Sequence, residues 1–286
     1  MLGANHPHTL LTRQSLAGIL SEQGRDGEAA DEFRSVLASR IEVLGPDHPD
    51  TLNTRHNLAI LLLKRGSYGE AADEYQSVLA AQIEALGPSH PNTLITRENL
   101  AIVLWKQGRR GEAADELRLA LATRIEVLGP DHPDTLNTRH NLATLLLDRG
   151  SYGEAADEYQ SVLVDLMEAL GPNHPNTLRT RYSLATVYWN QGRRGEAADE
   201  YRSVLAARIE VLGPDHPDTL NTRHNLASVL SEQGRYGEAA DELRSVLAAQ
   251  IEALGPNHLT TVSTRRAIDL LAQRIATDDP RPTKQP

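Results

Sequence analysis

RIEVLGPDHPDTLNTRHNLA runs from Arg40 to Ala59 and returns unchanged at Arg124 to Ala143 and at Arg208 to Ala227. The three copies stand 84 residues apart, and diverged copies lie midway between them. Leu-Gly marks the shorter period at Leu2-Gly3, Leu44-Gly45, Leu86-Gly87, Leu128-Gly129, Leu170-Gly171, Leu212-Gly213 and Leu254-Gly255, every 42 residues. A fixed period of this length is the signature of a solenoid, propeller or array. Within one period the punctuation predicts two helices. Pro49 suits a first helical position, where its missing N–H would be unpaired anyway. Asp50 sets a negative charge at the positive end of the helix. Leu52, Leu58, Ala59 and Leu62 form one apolar stripe at helical spacing. Gly66 stops this first helix, because glycine accepts the left-handed conformation of a helix end. A second helix is expected from near Glu70, with a stripe of Ala71, Tyr75, Val78, Leu79, Ile83 and Leu86, and Gly87-Pro88 ends it. Loops this short join antiparallel neighbours.

HEAT repeats and propeller blades share such a period, but blades need four β-rich strands per unit, and here Ala, Glu and Leu dominate. The turn decides. Gly66-Ser67-Tyr68-Gly69-Glu70-Ala71, Gly150-Ser151-Tyr152-Gly153-Glu154-Ala155 and Gly234-Arg235-Tyr236-Gly237-Glu238-Ala239 match the G-x-Y-x-E-A turn of tetratricopeptide repeats. Asn57-Leu58-Ala59 matches the first-helix signature upstream of it. Flanked by LGPDHPDTL, the unit resembles the 42-residue tetratricopeptide repeats of kinesin light chains and their bacterial relatives, from Leu2 to about Ala276. The resemblance implies an all-α fold: a right-handed α-solenoid of six helix-turn-helix repeats with a C-terminal capping helix. The array expected over 1–276 divides into repeats at about 6–45, 48–87, 90–129, 132–171, 174–213 and 216–255, with the capping helix at 259–276.

The two ends read differently. Leu2-Gly3 looks like the stump of a second helix, so the chain is expected to be the C-terminal piece of a longer array or multidomain protein. At the other end, Asp269 replaces the small residue of Ala59, Ala101, Ala143, Ala185 and Ala227. Together with Arg265, Arg266, Gln273 and Arg274 it makes a polar cap. Thr277 to Pro286 has the composition of a disordered tail.

Composition narrows the function. The 286 residues carry 29 Lys and Arg against 39 Asp and Glu, a formal charge of −10. Nucleic-acid and anionic-membrane surfaces need a basic face, so neither partner is expected. There is no cysteine, hence no thiolate metal site, disulfide or Cys nucleophile. No apolar run is long enough to span a membrane, no secretory leader opens the chain, and a cytoplasmic location is expected. The glycines are isolated helix stops rather than a phosphate loop, and no nucleophile, base and acid recur together, so no enzyme and no cofactor are expected.

Stacked helix pairs line the inside of a solenoid with first helices. At 100° per residue, the core stripe of the first helix leaves Asn53, His56, Asn57, Ile60, Leu63 and Lys64 on the inner side. The equivalents are Ile95, Glu98, Asn99, Ile102, Trp105 and Lys106; Asn137, His140, Asn141, Thr144, Leu147 and Asp148; Arg179, Tyr182, Ser183, Thr186, Trp189 and Asn190; and Asn221, His224, Asn225, Ser228, Ser231 and Glu232. This face varies among the repeats, whereas the core and second helices repeat almost verbatim. Such variation marks a binding groove on a fixed scaffold, or drift on a solvated face. Within it, Asn57, Asn99, Asn141 and Asn225 form a row, broken by Ser15 and Ser183, whose amides can pair with both groups of a peptide backbone. In peptide-binding repeats of the family the matching Asn grips the ligand backbone. Trp105 and Trp189 either anchor a ligand or fill the gap between neighbouring first helices.

Two further sets invite simpler readings. Seven of the 11 histidines stand in the turns between helices, one per unit, with no converging carboxylates, so no metal site is expected. His56, His140 and His224 lie on the variable face and could make binding pH-sensitive. Arg13, Arg55, Arg97, Arg139, Arg181 and Arg223 fall within the core stripe; their stems cover apolar neighbours and their heads reach a carboxylate or a helix end, with Glu42, Glu84, Glu126, Glu168, Glu210 and Glu252 as one candidate set. The Glu-Ala-Ala-Asp-Glu runs supply 18 of the 39 acids, all expected on a solvated outer face. The function that follows is a protein-interaction scaffold holding a peptide or partner segment in its groove. The groove would be built from Asn53, His56, Asn57, Lys64, Asn99, Trp105, Lys106, Asn137, His140, Asn141, Arg179, Tyr182, Trp189, Asn221, His224 and Asn225. The alternatives are a ligand-sensing module of a larger bacterial signalling protein, and an element that self-associates end to end.

Overall fold

A computed structural model describes Gly3 and residues 5–278. Among the described residues the regular structure is helical throughout. The helices pair in chain order: α1 (Pro7–Glu22) with α2 (Asp26–Leu44), α3 (Pro49–Lys64) with α4 (Tyr68–Leu86), and α5 (Pro91–Lys106) with α6 (Arg110–Leu128). Next come α7 (Pro133–Arg149) and α8 (Tyr152–Leu170), α9 (Pro175–Asn190) with α10 (Arg194–Leu212), α11 (Pro217–Glu232) with α12 (Tyr236–Leu254), and finally α13 (Leu259–Asp278). Within the first half α1 to α6 each pack on the next in sequence, and within the second half α8 to α13 do the same, which is the contact pattern of an α-solenoid. By its internal contacts the chain forms two compact units, one up to Leu145 and one from Leu146. No helix among the described residues is long and apolar enough to cross a membrane.

The repeated LGPDHPDTL motif is a folded connector. Gly45 closes α2 with φ 93°, a conformation a side chain would oppose. Thr51 is buried, and its hydroxyl donates to the Gly45 carbonyl at 2.8 Å. His48 caps α3: its ring Nδ1 accepts from the Asp50 amide at 3.1 Å, and Pro49 follows at the first helical position. The same Nδ1 cap recurs at His6, His90, His132, His174 and His216. The turn histidines are thus helix caps, using imidazole where Ser or Asp more often serves.

The core lies between paired helices. Ala71 and Ala72 and their counterparts Ala29, Ala30, Ala113, Ala114, Ala197 and Ala198 are buried, which lets helices approach closely. Tyr75, Tyr159 and Tyr201 fill the wider spaces at about 1% exposure or less, each burial contributing roughly 1.5–3 kcal/mol. Three sequence expectations shift. The second helices start at Tyr68 and Tyr152, before Glu70 and Glu154. Their apolar stripe stops short: Ile83 and Leu86 are 37% and 47% exposed. The second helices have 19 residues against 16 for most first helices. At the C-terminus α13 runs through Thr277 to Asp278, with the Thr277 hydroxyl on the Arg274 carbonyl at 2.8 Å. Thr277 and Asp278, expected in the tail, thus belong to α13, and the rest of that stretch lies outside the described residues.

Candidate binding face

In the first unit the expected face is a connected polar surface. Asn53 is exposed, and its Oδ1 accepts from Gln14 Nε2 at 2.6 Å and from Asn57 Nδ2 at 3.2 Å. Lys64 donates to the Ser21 carbonyl and to Asp26 Oδ1, both at 2.8 Å, bridging α3 back to the end of α1. A cleft of about 340 Å³ opens between α1 and α3, lined by Gln14, Ser15, Asn57, Ile60, Leu61 and Lys64. His56 is half-buried with its ring edge-on to Tyr75, and burial pushes its imidazole below the ordinary histidine range. Trp105 is half-buried, with the Lys106 ammonium 4.8 Å from its ring centre. Asn99, Asn137 and Asn141 are likewise half-buried.

His140 departs from the expected face. It is 5% exposed, and Glu98, at the same register one repeat earlier, is 8% exposed. A helical wheel drawn for one helix sets this register on the open side. At Glu98 the end of a second helix covers it, because Arg124 of α6 reaches over to that carboxylate at 3.1 Å. His140 is interior and offers no surface to a ligand.

In the second unit Tyr182 and Asn225 come together: Asn225 Nδ2 donates to the Tyr182 hydroxyl at 2.6 Å. The Tyr201 hydroxyl shares a proton with Thr186 Oγ1 at 2.7 Å, and burial pushes its phenol up to about 12. Trp189 is half-buried against the core, and its ring N–H donates to Glu232 at 3.0 Å. Trp189 thus fills the gap between first helices. Arg179, Asn221 and His224 are exposed. A cleft of about 470 Å³ between α11 and α13 is lined by His224, Ser228, Glu232, Leu270, Leu271 and Arg274.

The stripe arginines find carboxylates, but not the expected ones. Arg13 pairs with Glu32, Arg55 with Glu74, Arg97 with Glu116, Arg181 with Glu200 and Arg223 with Glu242. Every partner is the last acid of a Glu-Ala-Ala-Asp-Glu run, so one acid in three turns inward and the other two face solvent. Glu42 and its equivalents lie near the C-terminal end of the second helix.

A second arginine set was missed. Arg40, Arg124 and Arg208 are 4–5% exposed. Arg40 donates to the Asp50 carbonyl at 2.7 Å and Thr54 Oγ1 at 2.6 Å; Arg124 to the Asp134 carbonyl at 2.6 Å and Thr138 Oγ1 at 3.0 Å; Arg208 to the Asp218 carbonyl at 2.9 Å and Thr222 Oγ1 at 2.8 Å. Each head also meets the residue 26 positions upstream: Gln14, Glu98, or the ring of Tyr182 at 4.9 Å. The signal was present in the 84-residue period, since this register reads Arg40, Gln82, Arg124, Leu166, Arg208 and Gln250.

Helix pairs bolted by Thr and Gly, with a variable first-helix face, define a helical-repeat protein of the solenoid class. Family models for the tetratricopeptide repeat match residues 8–84 and 189–252 in one form and 93–134 and 135–176 in another. Together they take in most of the chain, which belongs to the tetratricopeptide repeat family. Among solved structures, the kinesin light chain-type repeats of Podosopora anserina are 29% identical, over 72% of this chain and 98% of that one, with a TM-score of 0.62. The quorum sensor NprR of B. thuringiensis, 15% identical over 99% of this chain and 73% of its own, has a TM-score of 0.68. BtubC of P. vanneervenii, 17% identical over 97% and 96%, has 0.56. At the identity of these last two, the likeness is one of fold. A search of curated proteins finds no match.

Proposed function

We propose that this chain is a non-enzymatic protein-interaction scaffold that takes an extended peptide or partner segment on its first-helix faces. One observation carries the reading. The side chains that differ between repeats gather around open clefts, such as that of Asn57, Ile60 and Lys64, on a scaffold whose other positions repeat almost verbatim. A row of amides beside apolar side chains suits a peptide, whose backbone alternates donor and acceptor and whose side chains need apolar seats. Family membership supports the same reading.

The test is selection of displayed peptides on the full chain, followed by binding of the recovered peptides to the Asn99→Ala/Asn141→Ala variant. The expected result is a loss of at least tenfold in affinity with unchanged helical circular dichroism. Undiminished binding would move the contact to second helices or loops.

A further inference from the structure

Two clefts recur at one register. In the first unit a cleft of about 600 Å³ lies where the start of α3 and the end of α4 meet the start of α5; Asp47, His56, Gln82, Asn92, Ile95 and Thr96 are among its lining residues. In the second unit its equivalent, about 610 Å³, lies among α11, α12 and α13, lined in part by Asp215, Leu220, Asn221, Gln250, Glu252 and Thr260. Asp215, Asn221, Gln250 and Thr260 each follow their first-unit counterparts Asp47, Asn53, Gln82 and Asn92 by 168 residues, four periods.

Both clefts open where Gln stands in place of the buried arginine. At the Arg40, Arg124 and Arg208 junctions a guanidinium spans the gap and ends on a first-turn carbonyl and a Thr hydroxyl. Thr96 and Thr264 keep that hydroxyl in the Gln junctions, and Asn92 and Thr260 supply the matching first turn. Gln is shorter and uncharged and does not take up the arginine's bonds. Gln82 Oε1 and Gln250 Oε1 are each buried without a hydrogen-bond partner. A buried amide oxygen left so is a cost to the folded chain. The linings add an acid apiece or more, Asp47 in one and Asp215 and Glu252 in the other, and among the described residues neither contains Lys or Arg. His56 and His90 are the other titratable groups lining the first cleft.

We propose that these two clefts are seats for arginine side chains of a partner polypeptide, each replacing in trans the guanidinium that the other junctions hold in cis. The aliphatic stem would lie along Leu52 and Ile95, and the head would reach the Asn92 and Thr96 end with Asp47 nearby. Asn53 and His56 line the same cleft and belong to the expected peptide face, so the inference rests on the peptide reading and specifies one side chain of the ligand. A free metabolite is the other source of a guanidinium. With no Lys or Arg in the lining to pair an α-carboxylate, a residue within a chain is the better match.

The experiment titrates acetyl-arginine amide into the full chain and follows the side-chain amide signals of Gln82 and Gln250 by NMR. The expected result is saturable shifts of both signals. Acetyl-citrulline amide, neutral and of equal shape, should bind at least tenfold more weakly, and free arginine no more tightly than the capped amide. In the Gln82→Arg/Gln250→Arg variant the chain fills both clefts with the residue three junctions already carry. It should fold, melt no lower than the parent, and lose acetyl-arginine amide binding. Equal binding of citrulline, unchanged binding to the double Arg variant, or a requirement for the free α-carboxylate would overturn the proposal. Selected peptides that bind without arginine, with no response to acetyl-arginine amide, would sink this inference and leave the scaffold reading standing. Arginine-amide binding with no peptide recovered would do the reverse.

Discussion

The junction of α2 with α3 and that of α4 with α5 differ in one decisive side chain. Both have the Gly-Pro turn, the His cap and the buried Thr bolt, Thr51 in one and Thr93 in the other. In the first, Arg40 is 4% exposed and bonded to a carbonyl and a hydroxyl. In the second, Gln82 leaves an unpaired oxygen and a cleft of about 600 Å³. The backbone punctuation fixes the repeat, and the residue at this register decides whether the seam is closed or open. Closure by arginine is not a simple gain. Burial holds the Arg40 and Arg208 guanidinium pKa below its ordinary value, a sign of desolvation that the hydrogen bonds must offset. The difference is therefore clearest when one partner is removed.

The largest effect is expected at the junction with a full ion pair. Arg124→Met should cost roughly 3–5 kcal/mol, because Glu98 would be left buried and charged without its partner. Thermal and urea unfolding measure it, and a loss below about 1 kcal/mol would show that the closed seam owes little to its arginine. Arg40→Gln should cost less, about 1–3 kcal/mol, since its upstream partner Gln14 is neutral and only hydrogen bonds are lost. The same variant turns the first junction into the Gln type. A third acetyl-arginine amide site should then appear by NMR, and failure to gain one would break the equivalence of the seams.

Much of the fold was legible because helix ends are written locally. Gly66 and Gly87 mark the stops and Pro49 a start, and each acts on its own backbone. The histidine caps were hidden, since an imidazole accepting from the amide two residues on is a matter of ring orientation. The face was only half legible. Asn53, Asn221 and His224 are exposed, but His140 and Glu98 are buried, Glu98 under Arg124 of a neighbouring helix that no single wheel contains. Arg13 and its kin were expected to reach a carboxylate or a helix end, and it is the carboxylate they meet. Choosing Glu32 over Glu42 needed the stagger between two helices, which depends on packing.

The smallest expected effect tests how the closed seam at Arg124 handles charge. Burial raises the Glu98 carboxyl above its usual range, the hydrogen bond from Thr138 and the charge of Arg124 pull it partly back, and Asp134 adds to the rise. The folded chain therefore holds this proton more tightly than the unfolded chain does. Its contribution is fully present below the unfolded value near pH 4 and is lost as pH rises through the raised folded value. Glu98→Gln removes the titration and keeps an acceptor for Arg124, as Gln14 does for Arg40. The melting temperature of the parent minus that of the variant should decline as pH goes from about 4 to about 7. Exposed acids such as Glu28 and Glu112, whose pKa values are lowered by arginine partners, give the opposite slope but cancel in the difference. A difference that stays flat or rises with pH would mean that Arg124 outweighs burial at Glu98. The seam would then be a net ion pair, and its contrast with the Gln82 cleft one of charge attraction more than of filled space.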